Sequence, residues 1–153
     1  MKRYCLLFFV ILLYGCNEPK IQEYELDRLV SSMRSAVEQQ DIEMLRGQFA
    51  SDAVIEINMP AELGGKVRYS VETYLKDVAT GWKMGINPTY RVEDLTFRIA
   101  EDGQSAVITD VVYEEASHNG KVVMSTKTQE TIDVIRIEDE IKVKKVYGDL
   151  SVL

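Results

Sequence analysis

The sequence predicts an α+β fold in which three helices precede a long antiparallel sheet. In residues 23–40 and 70–82 the apolar side chains recur at spacings of three and four, which is typical of amphipathic helices. From Thr89 onwards the period changes to two, which indicates strands that bury one face. Two hairpin signals, Asp102-Gly103 and Asn119-Gly120, divide this second half. The 153 residues suffice for one domain with one core.

The first two helices follow one another closely. Residues 23–40 form the first, whose apolar stripe consists of Leu26, Leu29, Val30, Met33 and Val37. Asp41 can accept backbone N–H groups as the cap of a short second helix over residues 42–49. The apolar, β-branched run at residues 53–57 then predicts a strand.

A glycine-containing loop separates this strand from the third helix. Residues 59–66 include paired glycines but lack the lysine and hydroxyl residue of a phosphate-binding loop, which favours a plain connection. Ser70 can cap the third helix, which ends near Gly81 or Gly85 and carries Trp82, a core residue or a stacking surface for a ligand. Four strands follow, at about residues 90–100, 104–116, 121–137 and 140–149.

The N-terminal residues are typical of an exported protein. Lys2 and Arg3 precede an apolar run over residues 4–14, which is shorter than the roughly 20 residues that span a membrane. The junction Leu13-Tyr14-Gly15-Cys16 resembles the bacterial lipobox, although a residue smaller than Tyr14 is usual there. Soluble secretion or an uncleaved membrane anchor are the alternatives.

The lipobox resemblance implies that the chain is cut before Cys16 and that this cysteine is acylated. We therefore predict a cleaved lipoprotein signal peptide over residues 1–15, a lipidated tether over 16–22 and one domain over 23–153. The membrane is then a partner through acylated Cys16. Asn17, where an aspartate would favour retention in the inner membrane, favours the cell outer membrane.

Composition excludes several functions. The formal net charge is −7, and removal of Lys2 and Arg3 with the signal peptide leaves 16 bases against 25 acids, or −9. Such a domain is repelled by phosphate backbones, so we expect no nucleic-acid partner. Without Cys5, and with Cys16 acylated, the domain has no free thiol, and His118 is the only histidine. We therefore predict no metal site and no cofactor.

The order of elements resembles the NTF2-like superfamily, which includes SnoaL-like and ketosteroid-isomerase-like domains. The resemblance rests on residues 41–57 (DIEMLRGQFASDAVIEI), residues 66–75 (KVRYSVETYL) and the hairpin meander after Tyr90. It implies a cone in which three N-terminal helices pack on a curved antiparallel sheet. Enzymes of this superfamily use polar residues inside the cone, whereas many relatives bind without catalysis. Some of these enzymes use a His–Asp pair, which a chain with one histidine at a hairpin tip lacks.

Hairpin registers predict which side chains face into the cone. A turn at Asp102-Gly103 pairs Phe97 with Ile108 and Leu95 with Asp110. A three-residue turn over 118–120 pairs Asp110 with Thr128, whereas a two-residue turn would turn Lys127 inward; we prefer the former. Continuing into the last strand pairs Ile132 with Tyr147 and Glu130 with Asp149. The inward polar residues are then Asp110, Thr128, Glu130, Tyr147 and Asp149.

These residues support two functions. The first, which we favour, is a lipid-anchored binding or interaction module of the cell envelope that holds a small apolar ligand or a protein partner. The second is a cofactor-free isomerase or cyclase with Asp110 or Glu130 as general base and Tyr147 as polariser, since crowded buried acids have raised pKa values. Trp82, Thr128 and Asp149 are the predicted ligand-binding residues. The acids could instead line the wet mouth of the cone, or a β-bulge could turn them outward.

A homodimer is a further possibility. The outward face of the predicted sheet would form an apolar patch, on which two copies of the chain could meet. Its members are Val107, Val111, Tyr113, Val123 and Ile135.

Overall fold

The computed structural model of the chain describes residues 19–153. The signal peptide, Cys5 and Cys16 lie outside the described residues, so the predictions made for them stay predictions. No helix in the described part is both long and apolar enough to cross a membrane. The elements, in chain order, are α1 (Glu23–Glu38), α2 (Ile42–Arg46), β1 (Phe49–Asn58), β2 (Lys66–Ser70), α3 (Val71–Lys83), β3 (Ile86–Ile99), β4 (Ser105–His118), β5 (Lys121–Ile137) and β6 (Glu140–Val152), with a 3-10 turn at Ala61–Leu63.

The three predicted helices are present, and the two predicted caps form. The Asp41 carboxylate accepts the backbone N–H groups of Glu43 and Met44, and the Ser70 hydroxyl accepts that of Thr73. Helix α2 is shorter than predicted, because Phe49 already begins β1. Ile21, within the predicted tether, is buried in the core, and its N–H donates to Gly103 O at 2.8 Å.

Six strands form one sheet in the order β2-β1-β6-β5-β4-β3. The predicted curved antiparallel sheet is present, with one parallel pair that was not predicted, β1 beside β6. Strand β2 was not predicted, because Lys66 ends the predicted loop, Ser70 is the predicted helix cap and the three residues between them carry too short a pattern. Helices α1 and α3 cover the concave face and bury a core that includes Leu26, Leu29, Leu75, Ile108, Ile132, Val134 and Val143.

Among the described strands the register shifts at four places, and the shifts in β3, β5 and β6 are the β-bulges that decide which side chains point inward. In β3 the register shifts between Glu93 and Thr96, at Asp94, whose φ is +53°. Phe97 therefore pairs with Ile108 as predicted, but Leu95 does not share its face and is exposed. The prediction that Leu95 shares the inward face is wrong, because the bulge places two residues of β3, Asp94 and Leu95, opposite Asp110.

The second bulge lies in β5. The turn at Asn119-Gly120 has two residues rather than the preferred three, since His118 pairs with Lys121. Val123 is then the extra residue, so the register shifts by one and Asp110 pairs with Glu130 rather than with Thr128. The turn prediction was wrong, yet the predicted inward face of β5 is correct, because the bulge restores its parity.

The third bulge lies in β6 at Lys144. Asp133 pairs with Lys145, whereas Val134 pairs with Val143. This shift reverses the two faces of the second half of β6, so that Val146, Gly148 and Leu150 face the helices. Tyr147 and Asp149 consequently point away from the cone, and the prediction that they face into it is wrong.

Candidate functional site

Two adjacent cavities lie between the concave face of the sheet and helices α1 and α3. The inner chamber has a volume of about 280 Å³ and the outer chamber, which opens beside α1, about 130 Å³. Ligand pockets for small molecules have comparable sizes and a mostly apolar lining with a few polar groups. The residues that line both chambers are Met33, Tyr74, Tyr90, Val112, Glu130 and Ile132.

A larger groove of about 480 Å³ lies between α1, α2 and the β5–β6 turn. Several of its charged side chains have partners: Lys142 Nζ lies 2.5 Å from Glu140 and donates to Gly47 O at 2.7 Å. Glu140 is exposed to water. Because no unpartnered buried polar atom lines this groove among the described residues, it gives less reason for a ligand than the cone does.

Adjacent strands β4 and β5 supply the carboxyl groups of the cone. Asp110 and Glu130 stand directly opposite each other, which places their Cβ atoms about 5 Å apart. Glu114, four residues along β4, shares their face and lines the inner chamber. Asp110 is 7% exposed, and its Oδ1 has no hydrogen-bond partner among the described residues.

Burial in this apolar site perturbs the acids. Loss of hydration raises the pKa of Asp110 to about 6, although nearby Arg34 opposes the rise. Burial, followed by the charges of Asp110 and Glu114, raises the pKa of Glu130 to about 8. Burial also raises the pKa of Glu114. At pH 7 Asp110 is therefore mostly ionised while Glu130 mostly retains its proton.

Two tyrosines complete the polar lining. Tyr74 comes from α3, and its ring packs edge-on against Phe49 and Tyr69, with centroids 6.2 and 6.5 Å away. Tyr90 comes from β3 and pairs with Glu114 across the β3–β4 ladder. Burial, strengthened by the carboxyl groups, raises the pKa of both phenols. Both tyrosines therefore stay protonated and can donate a hydrogen bond into the cavity.

The cone contains some, but not all, of the site residues predicted from the sequence. Asp110, Thr128 and Glu130 line the chambers, and the Thr128 methyl packs over Gly148, where a Cβ would lie 3.0 Å from it. Trp82 is partly buried against the core and is absent from the lining of both chambers.

Two predicted site residues lie on the opposite face of the sheet. Tyr147 pairs with Thr131 and is 38% exposed, and Asp149 accepts a hydrogen bond from the Asn58 amide at 2.9 Å. Sequence reasoning missed Tyr90. Its side chain points inward because the bulge in β3 reverses the two faces of the strand between Val92 and Phe97, which both point inward although they are an odd number of positions apart. The odd spacing between these apolar residues was the available signal.

The predicted outer patch is not a continuous apolar surface. Val107, Val111 and Ile135 are half-buried, whereas Val123, the bulge residue, is exposed. The Tyr113 ring lies under charged groups, with the Arg91 guanidinium 4.2 Å and Lys127 Nζ 5.6 Å from its centre. A homodimer through this face stays a prediction.

The described residues contain no metal-binding cluster, and the single histidine does not line the cone. Within residues 19–153 no group of three or more His, Cys, Asp or Glu side chains is arranged to hold a metal ion. His118 is exposed at the β4–β5 hairpin tip, where its Nε2 lies 3.0 Å from the Asn119 side-chain nitrogen. The polar groups that the chambers offer a ligand are carboxyls, phenols, the Thr128 hydroxyl and, in the outer chamber, the Arg34 guanidinium.

Comparison with known proteins identifies the fold. No protein-family model matches the chain, and no curated protein is similar to it in sequence. Many solved structures resemble it at low identity. An NTF2-like protein from Cytophaga hutchinsonii is 15% identical, with a TM-score of 0.64 over 87% of this chain and 99% of that one. An NTF2-like protein of unknown function from Pseudomonas putida is 16% identical, with a TM-score of 0.64 over 83% and 84% of the two chains.

Some structural neighbours are described as enzymes. A candidate scytalone dehydratase from Novosphingobium aromaticivorans is 12% identical, with a TM-score of 0.63 over 86% of this chain and 83% of that one. At these identities the likeness establishes the fold alone. The chain has the NTF2-like fold, and members with this fold include both binding modules and enzymes.

Proposed function

We propose that this protein binds a small, largely apolar molecule in the two chambers of its cone, and that lipid on Cys16 holds it at the cell envelope, in the outer membrane. The observation that carries the binding proposal is Asp110, a buried carboxyl that lines an apolar cavity with one oxygen unpartnered. A buried polar atom without a partner costs about 1–3 kcal/mol. A ligand that donates a hydrogen bond to Asp110 would recover that cost.

The shape of the site supports a small molecule rather than a protein partner. The inner chamber lies beneath α3, bounded by Tyr74 and Val78, and its sheet wall includes Ile132 and Val146. A protein surface cannot reach such a chamber without displacing the helix, whereas an aromatic compound of one to three rings fits the chambers of about 280 and 130 Å³.

The cavity is tested by filling it. Val112 lines both chambers, and its neighbour Val111 points to the opposite face of β4. We expect full-length protein in detergent to bind 1-aminoanthracene, a neutral apolar fluorophore, saturably. Val112→Phe should weaken that binding at least about tenfold because the added ring occupies the cavity, whereas Val111→Phe should leave it unchanged.

Equal binding by the two phenylalanine variants would contradict a site inside the cone. Native mass spectrometry of the same wild-type protein would also reveal any small molecule retained from the cell and indicate its chemical class.

The anchor is tested separately. Acyl chains on Cys16 contribute about 0.8 kcal/mol per buried methylene, enough together for stable attachment. We expect Cys16→Ser to abolish incorporation of labelled palmitate and to move the protein out of the membrane fraction. Cys5→Ser is the matched control, because that cysteine lies within the predicted signal peptide. Equal labelling of both variants would refute acylation at Cys16.

Catalysis is the second candidate, favoured by the Asp110–Glu130 pair. An ionised Asp110 could take a proton from carbon beside a ligand carbonyl and return it to another carbon, while neutral Glu130 donates a hydrogen bond to the oxygen. Tyr147 cannot act as polariser from the outer face, so Tyr74 or Tyr90 would take that role. Catalysed exchange of the α-protons of an apolar ketone in D₂O, lost in Asp110→Asn, would support this function.

A further inference from the structure

The charged side chains that line the inner chamber of the cone are all carboxylic acids. Asp110, Glu114 and Glu130 come from two adjacent strands, and no lysine, arginine or histidine of residues 19–153 lines the inner chamber. The outer chamber has one basic side chain, Arg34, which is exposed at its mouth. Arg34 forms neither a hydrogen bond nor an ion pair with Asp110. Among the described residues, the acids of the cone therefore face a largely apolar space in which no cation forms an ion pair with them.

Asp110 supplies an independent sign of a missing partner. Its side chain is more than nine-tenths buried, lines the outer chamber and leaves Oδ1 without a hydrogen bond. Its cross-strand neighbour is another carboxyl, Glu130, which cannot neutralise it. A buried carboxylate in this position is stabilised most by a group that both donates a hydrogen bond and carries positive charge.

The aromatic lining fits the same partner. The rings of Tyr74 and Tyr90 border both chambers, and the face of an aromatic ring attracts a cation within about 6 Å. The apolar remainder of the lining, including Met33, Val112 and Ile132, suits a hydrocarbon body. The net charge of −7 also raises the local concentration of cations.

From this geometry we infer that the ligand of the cone is a small organic cation, a protonated primary or secondary amine on an apolar body, with its N–H groups donating to Asp110 and Glu130. The inference rests on the proposed binding function and names its ligand class. The body would occupy the inner chamber, between the tyrosines and the sheet.

Binding of such a cation should be coupled to proton release. Before binding, Glu130 keeps its proton at pH 7 because it is buried and faces Asp110 and Glu114. The other groups facing the pair are Tyr74 from α3, Tyr90 from β3 and Arg34 from α1. An ammonium placed between the carboxyls favours their ionised forms, so the Glu130 proton is expelled. A neutral ligand gives no such release.

The test is calorimetric titration of the full-length protein in detergent with three probes of similar shape. These are 2-phenylethylamine, which is cationic at pH 7, neutral 2-phenylethanol and anionic 3-phenylpropanoate. We expect the amine to bind at least about tenfold more tightly than the alcohol and the carboxylate not to bind. Titration of the amine in two buffers of different ionisation enthalpy should show proton release at pH 7, and the alcohol should show none.

Variants assign the effect to the carboxyl. Asp110→Asn should lower the affinity for the amine about 10- to 100-fold and change that for the alcohol less than about threefold. Glu115→Gln is the matched control, since Glu115 is exposed on the opposite face of the same strand. The proton-release measurement uses the wild-type protein and so stands even where a variant folds poorly.

The outcomes separate this inference from the function on which it rests. If the alcohol binds as tightly as the amine, and Val112→Phe abolishes both, the cone is a binding site but the cation assignment is overturned. If the amine binds without proton release or without dependence on Asp110, the assignment is also overturned. If Val112→Phe changes the binding of no probe, the proposed function fails together with it.

Discussion

Replacement of Arg136 by alanine is expected to lower the free energy of unfolding by about 3 kcal/mol. The Arg136 side chain is 5% exposed, and its Nη2 donates to both oxygens of Glu25, at 2.7 and 2.9 Å. This ion pair joins β5 to the first turn of α1, where Glu25 also accepts the Gln22 N–H at 2.9 Å. Removing one partner of a buried pair leaves the other charge uncompensated, which costs about 3–5 kcal/mol.

Urea unfolding, monitored by the fluorescence of Trp82, measures this loss. Arg91→Ala is the matched control, because Arg91 lies on the exposed face of β3 and its contacts with Glu93 and Tyr113 are accessible to water. Its loss should change stability by less than about 1 kcal/mol. Similar destabilisation by the two variants would show that the Arg136–Glu25 pair does not fasten α1 to the sheet.

The Arg136–Glu25 pair also makes the free energy of unfolding depend on pH. Burial raises the pKa of Glu25, but the hydrogen bonds from Arg136 and Gln22 outweigh that effect, so the pKa lies below its ordinary value of 4.5. A depressed carboxyl pKa stabilises the fold above pH 4.5, and this contribution is lost as the pH falls through the folded-state value. The difference between wild type and Arg136→Ala should therefore shrink in acid.

The second large effect is a gain in the free energy of unfolding, and it is expected at alkaline pH. Glu130→Gln should raise the free energy of unfolding by about 4 kcal/mol at pH 9 and change it little at pH 4.5. The pKa of Glu130 is about 8 in the folded state and 4.5 ordinarily, so folding favours its protonated form. That stabilisation is complete below pH 4.5 and is lost as the pH rises to about 8.

The control for this experiment is Glu115→Gln, on the exposed face of β4. It should have little effect at either pH, since an exposed carboxyl keeps its hydration when the protein folds. Urea unfolding at pH 4.5, 7 and 9 provides the comparison. An equal shift for Glu130→Gln at all three values would mean that Glu130 is ionised in the fold throughout, which contradicts the description of the cone as a dry acidic site.

Much of the fold could be predicted from the sequence because its signals are local. Asp41 and Ser70 cap helices, and the Asn119-Gly120 turn has Asn119 and Gly120 at φ of +51° and +73°, as a tight hairpin requires. The pairing of β1 with β6 depends on contacts far apart in the chain. No periodicity within either strand encodes it, so the parallel pair could not be predicted.

The site was harder to predict because a bulge reverses a strand's faces without altering its composition. Asp110 and Glu130 were placed correctly because the turn error and the bulge at Val123 left the parity of β5 unchanged. In β6 the single bulge at Lys144 moved Tyr147 and Asp149 outward. The three-residue interval from Val143 to Val146 was the one sign of it, since an uninterrupted strand places buried residues two apart.

The most direct test of the central claim, that the cone is a small-molecule site, is to locate a bound probe. Intermolecular NOEs are measured between the ring protons of 1-aminoanthracene and the methyl groups of the isotopically labelled full-length protein. We predict contacts with the methyl groups of Met33, Val112 and Ile132, which line both chambers. Contacts only with Val107, Val111 or Ile135, on the outer face, would show that the probe binds elsewhere and that the cone is not the site.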